Sequence, residues 1–320
     1  LATSDIPVCY ISSGKDDPGL FLEHANYLTF KIDEGFVRNW LFENIETDVM
    51  VMTMPDLHQY QVKKSKHKVH YVYVQHSLVS LHMAYRKGAF DHYDTILCAG
   101  PHHIKELRAM EVRYNLPKKN LLEHGYGRLD AIIEEAKKRP KTAKPTDAPK
   151  HVLIAPSWGN EGAIESGEGE KIVDQLMKQG YQVPQTIKFA KNKIDSILKK
   201  YGNHPLFSYE ANVAGQDSLH ESDIMISDWS GAALDYAFGL NKPVCFVDVP
   251  RKINNPDYKE IGIDAFEAEI RKKIGIIMTD NVCNVGLLLN MKLSAFHNEF
   301  FFQDSNKTGA DSLKLLLTTY

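Results

Sequence analysis

The sequence predicts an α/β protein built as two doubly wound, Rossmann-like parallel-sheet domains facing a cleft. Three observations carry that expectation. Short β-branched or aromatic runs recur along the chain, each separated from the next by a helix-sized segment, which is the spacing of βαβ units. A lysine- and proline-rich stretch near the middle divides the runs into two sets. The length, 320 residues, suits two domains that each bury a core without disulfides or metals.

Taken in order, the predicted strands of the first half are 7–11, 48–52, 69–74, 95–99 and 121–124. The stretch 136–150 (AKKRPKTAKPTDAPK) holds three prolines and five lysines with almost no apolar side chain, and reads as a hinge. The second half offers 151–155, a short 181–183, then 206–209, 223–227, 244–247 and 275–278. The run 181–183 is shorter than the five or so residues of a typical strand. Segment 282–320 reads as one or two helices. The domain expectation is an acceptor domain over 1–140, a linker over 141–150, a nucleotide-binding domain over 151–290, and helices over 291–320 packing back on the first domain. Ligands of such sheets sit beyond the carboxyl ends of the strands, so the cleft is the expected site.

Composition narrows the function. Hydrophobic residues make up 43% and charged residues 25%, with 38 Lys and Arg against 41 Asp and Glu, which argues against a nucleic-acid binder. Four cysteines stand far apart without a Cys-x-x-Cys pair, so no zinc ribbon or disulfide framework is expected and a reducing compartment fits. No run approaches the roughly 18 apolar residues of a membrane span, and no secretory leader is visible. The expectation is a cytoplasmic chain. No metal site and no cofactor are expected, since neither His-x-x-x-His nor Asp-x-Asp occurs.

The most informative passage is 222–248, SDIMISDWSGAALDYAFGLNKPVCFVD. Ile224, Met225 and Ile226 form a buried strand, Ser227-Asp228-Trp229-Ser230 a polar turn, and Gly231 opens a helix that Gly239 can end. Ser230 or Asp228 can simply cap that helix. Alternatively the small residues leave its first N–H groups open as a seat for phosphate oxygens, with the Ser227 and Ser230 hydroxyls as further donors. Asp235, one turn into the helix, is placed to accept hydrogen bonds from a ribose.

This passage resembles the C-terminal nucleotide-binding motif of the CDP-glycerol glycerophosphotransferase family, whose members build teichoic-acid-like and capsular polymers on a GT-B fold. Three further passages resemble family motifs in the family's order: Gln75-His76-Ser77 its strand-end Gln-His-Gly, the run from Gly125 through Gly127, Arg128 and Asp130 its Gly-x-Pro-Arg-x-Asp, and Ala155-Pro156-Ser157-Trp158 its Ala-Pro-Thr/Ser-Trp. The likeness spans about 65–280. Ser77, Gly127 and Gly159 depart from the usual residues. The family's Arg-Pro-His-Pro is also missing, since Val183 runs straight into Pro184. Either the chain lacks this basic pair, or a segment ahead of Pro184 is absent from the sequence; the helix-like 187–200 favours the second.

The resemblance implies a metal-independent transferase. An acceptor hydroxyl would attack the β-phosphorus of CDP-glycerol or a related CDP-polyol, and CMP would leave. His76, at a strand end, would remove or orient the acceptor proton. Ser157 and Trp158 would contact the nucleotide or its pyrophosphate, the turn Ser227, Asp228, Ser230 and Gly231 would hold the pyrophosphate, and Asp235 the ribose. Gln75, Ser77, His124, Gly125, Arg128 and Asp130 would line the acceptor side, with Arg128 and Asp130 able to pair with each other. The acceptor would be membrane-linked or an oligosaccharide. The run Lys63-Lys64-Ser65-Lys66-His67-Lys68 is either a solvated face or a contact with an anionic surface at the inner face of the plasma membrane. A GT-B glycosyltransferase using a nucleotide sugar, or a nucleotide-binding module without turnover, are the alternatives.

Overall fold

The computed structural model describes residues 5–60, 62–140, 148–157, 162–186, 191–210, 217–278, 285–291, 293, 297–302 and 304–319. Trp158, most of the predicted linker and the residues just after 186 lie outside that set. The chain divides into two compact units: Leu1–His76 with Tyr85–Gly127 and Phe302–Tyr320, and Ser77–Ala84 with Arg128–Phe301.

In the first unit, β1 (Val8–Ser12) pairs in parallel with β2 (Tyr27–Lys31), with register Val8 to Tyr27. Helix α1 (Phe36–Asn44) follows. A second, parallel sheet holds β3 (Val49–Met52), β4 (His70–Val74), β5 (Thr95–Cys98) and β6 (Asn120–Glu123), in the order β3-β4-β5-β6, with α2 (Pro101–Tyr114) crossing between the last two. Tyr71, Val72, Tyr73, Ile96, Leu97 and Cys98 are all buried, as strands covered on both faces require. Sequence reading finds these strands to within a residue or two but misses β2. The reason is visible in its burial: Leu28 and Phe30 point outward and are exposed, so no inward apolar face announces the strand.

The second unit opens with α3 (Gly127–Lys138) and continues through β7 (Val152–Ile154), α4 (Glu168–Lys178), β8 (Val183–Thr186), α5 (Lys191–Tyr201) and β9 (Phe207–Glu210). Next come α6 (Asp217–Glu221), β10 (Ile224–Ser227), α7 (Gly231–Leu240), β11 (Val244–Phe246), α8 (Phe266–Ile274), β12 (Gly275–Ile277), α9 (Val285–Leu289) and α10 (His297–Phe300). All pairings are parallel, in the order β12-β11-β10-β7-β8-β9. The winding reverses between β7 and β10, the doubly wound arrangement whose ligands gather at the reversal. A single core joins the strand residues Val152, Ile154, Ile224, Ile226 and Cys245 to Ile172, Val173 and Leu176 of α4.

Three expectations are corrected. The predicted hinge begins too early, since α3 runs on to Lys138. The boundary near 140 also moves to Gly127, because α3 packs into the second unit: a Cβ on Gly239 of α7 would stand 2.6 Å from Ile132 Cγ2 and 3.4 Å from Leu129 Cδ1. Finally, the strand expected at 181–183 extends through Pro184 to Thr186. Gln182 donates to Lys150 O at 2.9 Å and Val183 to Leu206 O at 2.7 Å on the opposite side. By that alternation the missing proline N–H faces β7, where β8 keeps the single register pair Ile154–Gln185, while pairing to β9 is continuous over four residues.

The C-terminal stretch is split between the units. Phe300 and Phe301 pack on Phe238 and Phe266 of the second. In the first, Phe302 donates to Ala99 O, and Leu316 of α11 (Ser305–Thr319) joins Val72 and Leu97.

Candidate active site

The reversal point of the second unit is built from the ends of β7 and β10. Ser227 donates its hydroxyl to Ala155 O at 2.6 Å and is buried. Asp228, 1% exposed, accepts the Ser157 N–H on Oδ1 at 2.6 Å and the Ala163 N–H on Oδ2 at 2.9 Å. Both side chains therefore clamp the segment after β7 to the end of β10, where sequence reading gave them to a ligand. Ser230 is the N-cap of α7, its Oγ accepting from Ala232 N at 3.3 Å, so the capping role is realised.

Beside the cap, Ser77 Oγ lies 2.9 Å from where a Cβ on Gly231 would sit, with Val79 Cγ1 at 3.7 Å. A side chain at 231 would force the Ser77 hydroxyl to turn away from the helix start. The segment Ser77–Ala84 is anchored by Glu267, which accepts from the Ser80 N–H at 2.8 Å and the Ser80 hydroxyl at 2.9 Å, and by Asn255, which donates to His82 O at 2.8 Å.

Asp235 is buried, and its Oδ2 accepts from Arg128 Nε at 2.9 Å. Burial pushes its carboxyl up to about 6, with the guanidinium pulling the other way. Arg128 thus spans from α3 to α7, its Nε held by Asp235. Residues two apart on one helix do not face each other, whereas a carboxylate on a packed neighbouring helix can.

In the first unit, His76 follows the carboxyl end of β4. Tyr73 OH lies 2.9 Å from its Nδ1 and Tyr85 OH 3.3 Å from its Nε2, with both tyrosine rings edge-on to the imidazole. Tyr126 donates to the His76 carbonyl at 2.9 Å, and the Thr53 backbone hydrogen-bonds the ring. His76 keeps an exposed edge, yet burial of the ring among these groups draws its pKa below the ordinary value, the Thr53 contact opposing. A ring N–H held by the Thr53 carbonyl leaves the other nitrogen as a proton acceptor. Sequence reading found His76 but not Tyr73, Thr53, Tyr85 or Tyr126. Of these only Tyr73, three residues before it in β4, left a local signal.

Gln75 is 4% exposed, and both amide atoms are buried without a partner. His124 is buried, its Nδ1 3.1 Å from Thr308 Oγ1, which also donates to the His124 carbonyl at 2.7 Å. Gly125 turns the chain at φ +94°, a conformation that favours glycine. Ser157 is buried and Asp130 half-buried. Of the lysine run, Lys63 donates to His58 O at 3.3 Å and Lys64 lies 3.8 Å from Asp94, while Lys66 and Lys68 are exposed. Among the described residues no group of three or more His, Cys, Asp or Glu could hold a metal ion, and no helix is long and apolar enough to cross a membrane.

The chain aligns along 97% of its length with a wall teichoic acid polymerase, TagF, carrying a histidine-to-asparagine substitution (16% identity, 80% of that chain, TM-score 0.59). It aligns over the same 97% with the same variant soaked with CDPG (14%, 80%, TM-score 0.55) and with a histidine-to-alanine variant (14%, 81%, TM-score 0.59). At such identities the likeness establishes the GT-B-like fold. No curated protein sequence matches. Residues 40–253 match the family described as CDP-glycerol:poly(glycerophosphate) glycerophosphotransferase. That match takes in β4 with His76, the reversal point and all of α7, and the chain belongs to this family.

Proposed function

We propose that the chain moves glycerol phosphate, or a related polyol phosphate, from a CDP-linked donor to a hydroxyl of a lipid-linked or oligosaccharide acceptor. The acceptor oxygen bonds to the β-phosphorus, the bond from that phosphorus to the bridging oxygen breaks, CMP leaves with the electron pair, and the hydroxyl proton passes to His76. The observation that carries this reading is the His76 ring: drawn below the ordinary imidazole pKa, braced by Tyr73 and Thr53, and bonded only loosely to Tyr85 at 3.3 Å. An acceptor hydroxyl can displace so long a contact. The second unit's role is to seat the donor at its strand reversal, the α7 N-terminus favouring phosphate and Asp235 the ribose. Little covalent work then falls to the protein, and positioning with charge neutralisation carries the rate.

A membrane-linked acceptor is supported by the first unit's surface. Phe36, Val37 and Trp40 of α1 are exposed, and Lys66 and Lys68 are too. Aromatic and basic groups together suit the anionic inner face of the plasma membrane. Replacing the two lysines with Gln weakens binding to anionic vesicles and spares turnover of a soluble acceptor; equal vesicle binding would remove the membrane contact.

Incubation with CDP-glycerol, CDP-ribitol and a panel of nucleotide sugars tests the function. CMP release from a CDP-polyol supports it. A nucleoside diphosphate released from a sugar donor would instead mark a glycosyltransferase, and binding without release a module that does not turn over.

A further inference from the structure

Two tyrosine hydroxyls meet the two ring nitrogens of His76, and they are held very differently. Tyr73, on β4, is fully buried and packs edge-on against Phe90 and Tyr93, with ring centres 4.9 and 5.2 Å away. Its hydroxyl stands 2.9 Å from His76 Nδ1 and also hydrogen-bonds that of Tyr85. The Tyr85 hydroxyl makes the longer approach, 3.3 Å to Nε2. Behind them Tyr93 donates its hydroxyl to Met54 O, next to Thr53, whose backbone bonds the imidazole.

Burial pushes the Tyr73 hydroxyl far above the ordinary phenol range, with the neighbouring tyrosines adding to the effect, so it keeps its proton and acts through hydrogen bonds alone. An imidazole turns easily about its Cβ–Cγ bond, where the torsional wells are broad and a half-turn exchanges ring carbons for nitrogens. A partner fixed in the core at Nδ1 removes that freedom. Base catalysis depends on such placement, because a small misalignment of the reacting groups costs rate steeply.

We propose that Tyr73 is a positioning residue for the transfer: its hydroxyl, bonded to Nδ1 from inside the core, holds the His76 ring so that Nε2 presents its lone pair to the acceptor hydroxyl. This rests on the reading of His76 as the base. For Nε2 to take a proton, the neutral ring must carry its own on Nδ1. The Tyr73 oxygen then accepts that N–H, and its own proton goes to the Tyr85 oxygen. The Thr53 backbone is a second acceptor for the same N–H. Once Nε2 is protonated the ring donates more strongly to both, which steadies the imidazolium. Loss of the Tyr73 hydroxyl therefore frees the ring and weakens it as a base.

Two measurements test it. The first is nitrogen NMR of the imidazoles, with His76 assigned by the signal lost in His76→Ala. In the unaltered protein at mildly alkaline pH the His76 proton sits on Nδ1; in Tyr73→Phe, which keeps the buried ring, the signal moves toward the Nε2–H form. The second is steady-state CMP release from CDP-glycerol across the rise with pH. Tyr73→Phe lowers kcat at least about tenfold, leaves KM and CMP affinity as they were, and moves the midpoint to lower pH. A mere loss of folded protein scales kcat without moving the midpoint. The other titratable groups around the ring are the phenols of Tyr85, Tyr93 and Tyr126 and, facing Tyr93, Asp56 with Arg86 beside it. All are common to both proteins. An Nε2–H ring in the unaltered protein, or full kcat with an unmoved midpoint in Tyr73→Phe, overturns the inference, and the base reading still stands if His76→Ala has lost release. Should Tyr73→Phe not fold, the tautomer of the unaltered protein decides. Release undiminished in His76→Ala, or absent from the unaltered protein, strikes the reading of His76 itself, and this inference with it.

Discussion

Asp235 shows what a single carboxylate costs and gives. It is buried, raised to about 6, and held by one guanidinium. Arg128→Ala leaves that charge without its partner and lowers stability by about 2 kcal/mol, read from urea unfolding. Adding Asp235→Asn recovers most of the loss, because the orphaned charge is then gone. Additive losses in the double variant would contradict the pairing. Ser230→Ala removes a cap, costs about 1 kcal/mol and weakens nucleotide binding by loosening the first turn of α7. At this scale the sequence reveals residue types at strand ends, His76 and Ser230 among them, because position after a strand is a local property. It does not reveal partners. Asp228 reaches Ser157 and Ala163 across 71 and 65 residues, and Arg128 reaches Asp235 across 107, distances that no spacing rule encodes.

Elements were legible where burial is two-sided. The strands β4, β5 and β10 announce themselves as apolar runs, whereas β2 hides because its apolar residues face outward. Strand β8 hides because a proline interrupts it, although its ladder to β9 runs on unbroken. The junction of α8 and β12 makes a sharp prediction. A Cβ on Gly275 would stand 1.8 Å from Val244 O, a backbone atom that cannot swing aside. Gly275→Ala therefore pries β12 from β11 and costs about 3 kcal/mol in denaturant unfolding. A loss within experimental error would mean that the strand edge yields freely.

The molecule as a whole should lose stability in mild acid. His70, His76, His92 and His220 are all drawn below the usual imidazole pKa by burial. Each is favoured neutral in the fold, so its contribution is full above about pH 6.5 and fades as the pH drops towards the folded value. Asp235 acts in the opposite sense, taking up a proton in the fold below about 6, and offsets part of the loss. The urea midpoint should fall between pH 7 and 5.5; a rise would reverse the linkage.

The division into two units, with α3 in the second and α11 in the first, depends on contacts far apart in sequence, which is why a hinge of prolines and lysines could be seen but the boundary at Gly127 could not. The central claim gives the units different tasks: the first activates the acceptor, the second holds the donor. Single-turnover CMP release from CDP-glycerol, measured beside CMP affinity for the unaltered protein and for His76→Ala, tests this most directly. The account predicts that release is lost while CMP binds as before, and that the unaltered rate climbs with pH through a value below 6.5 and then levels. Undiminished release by His76→Ala would contradict it.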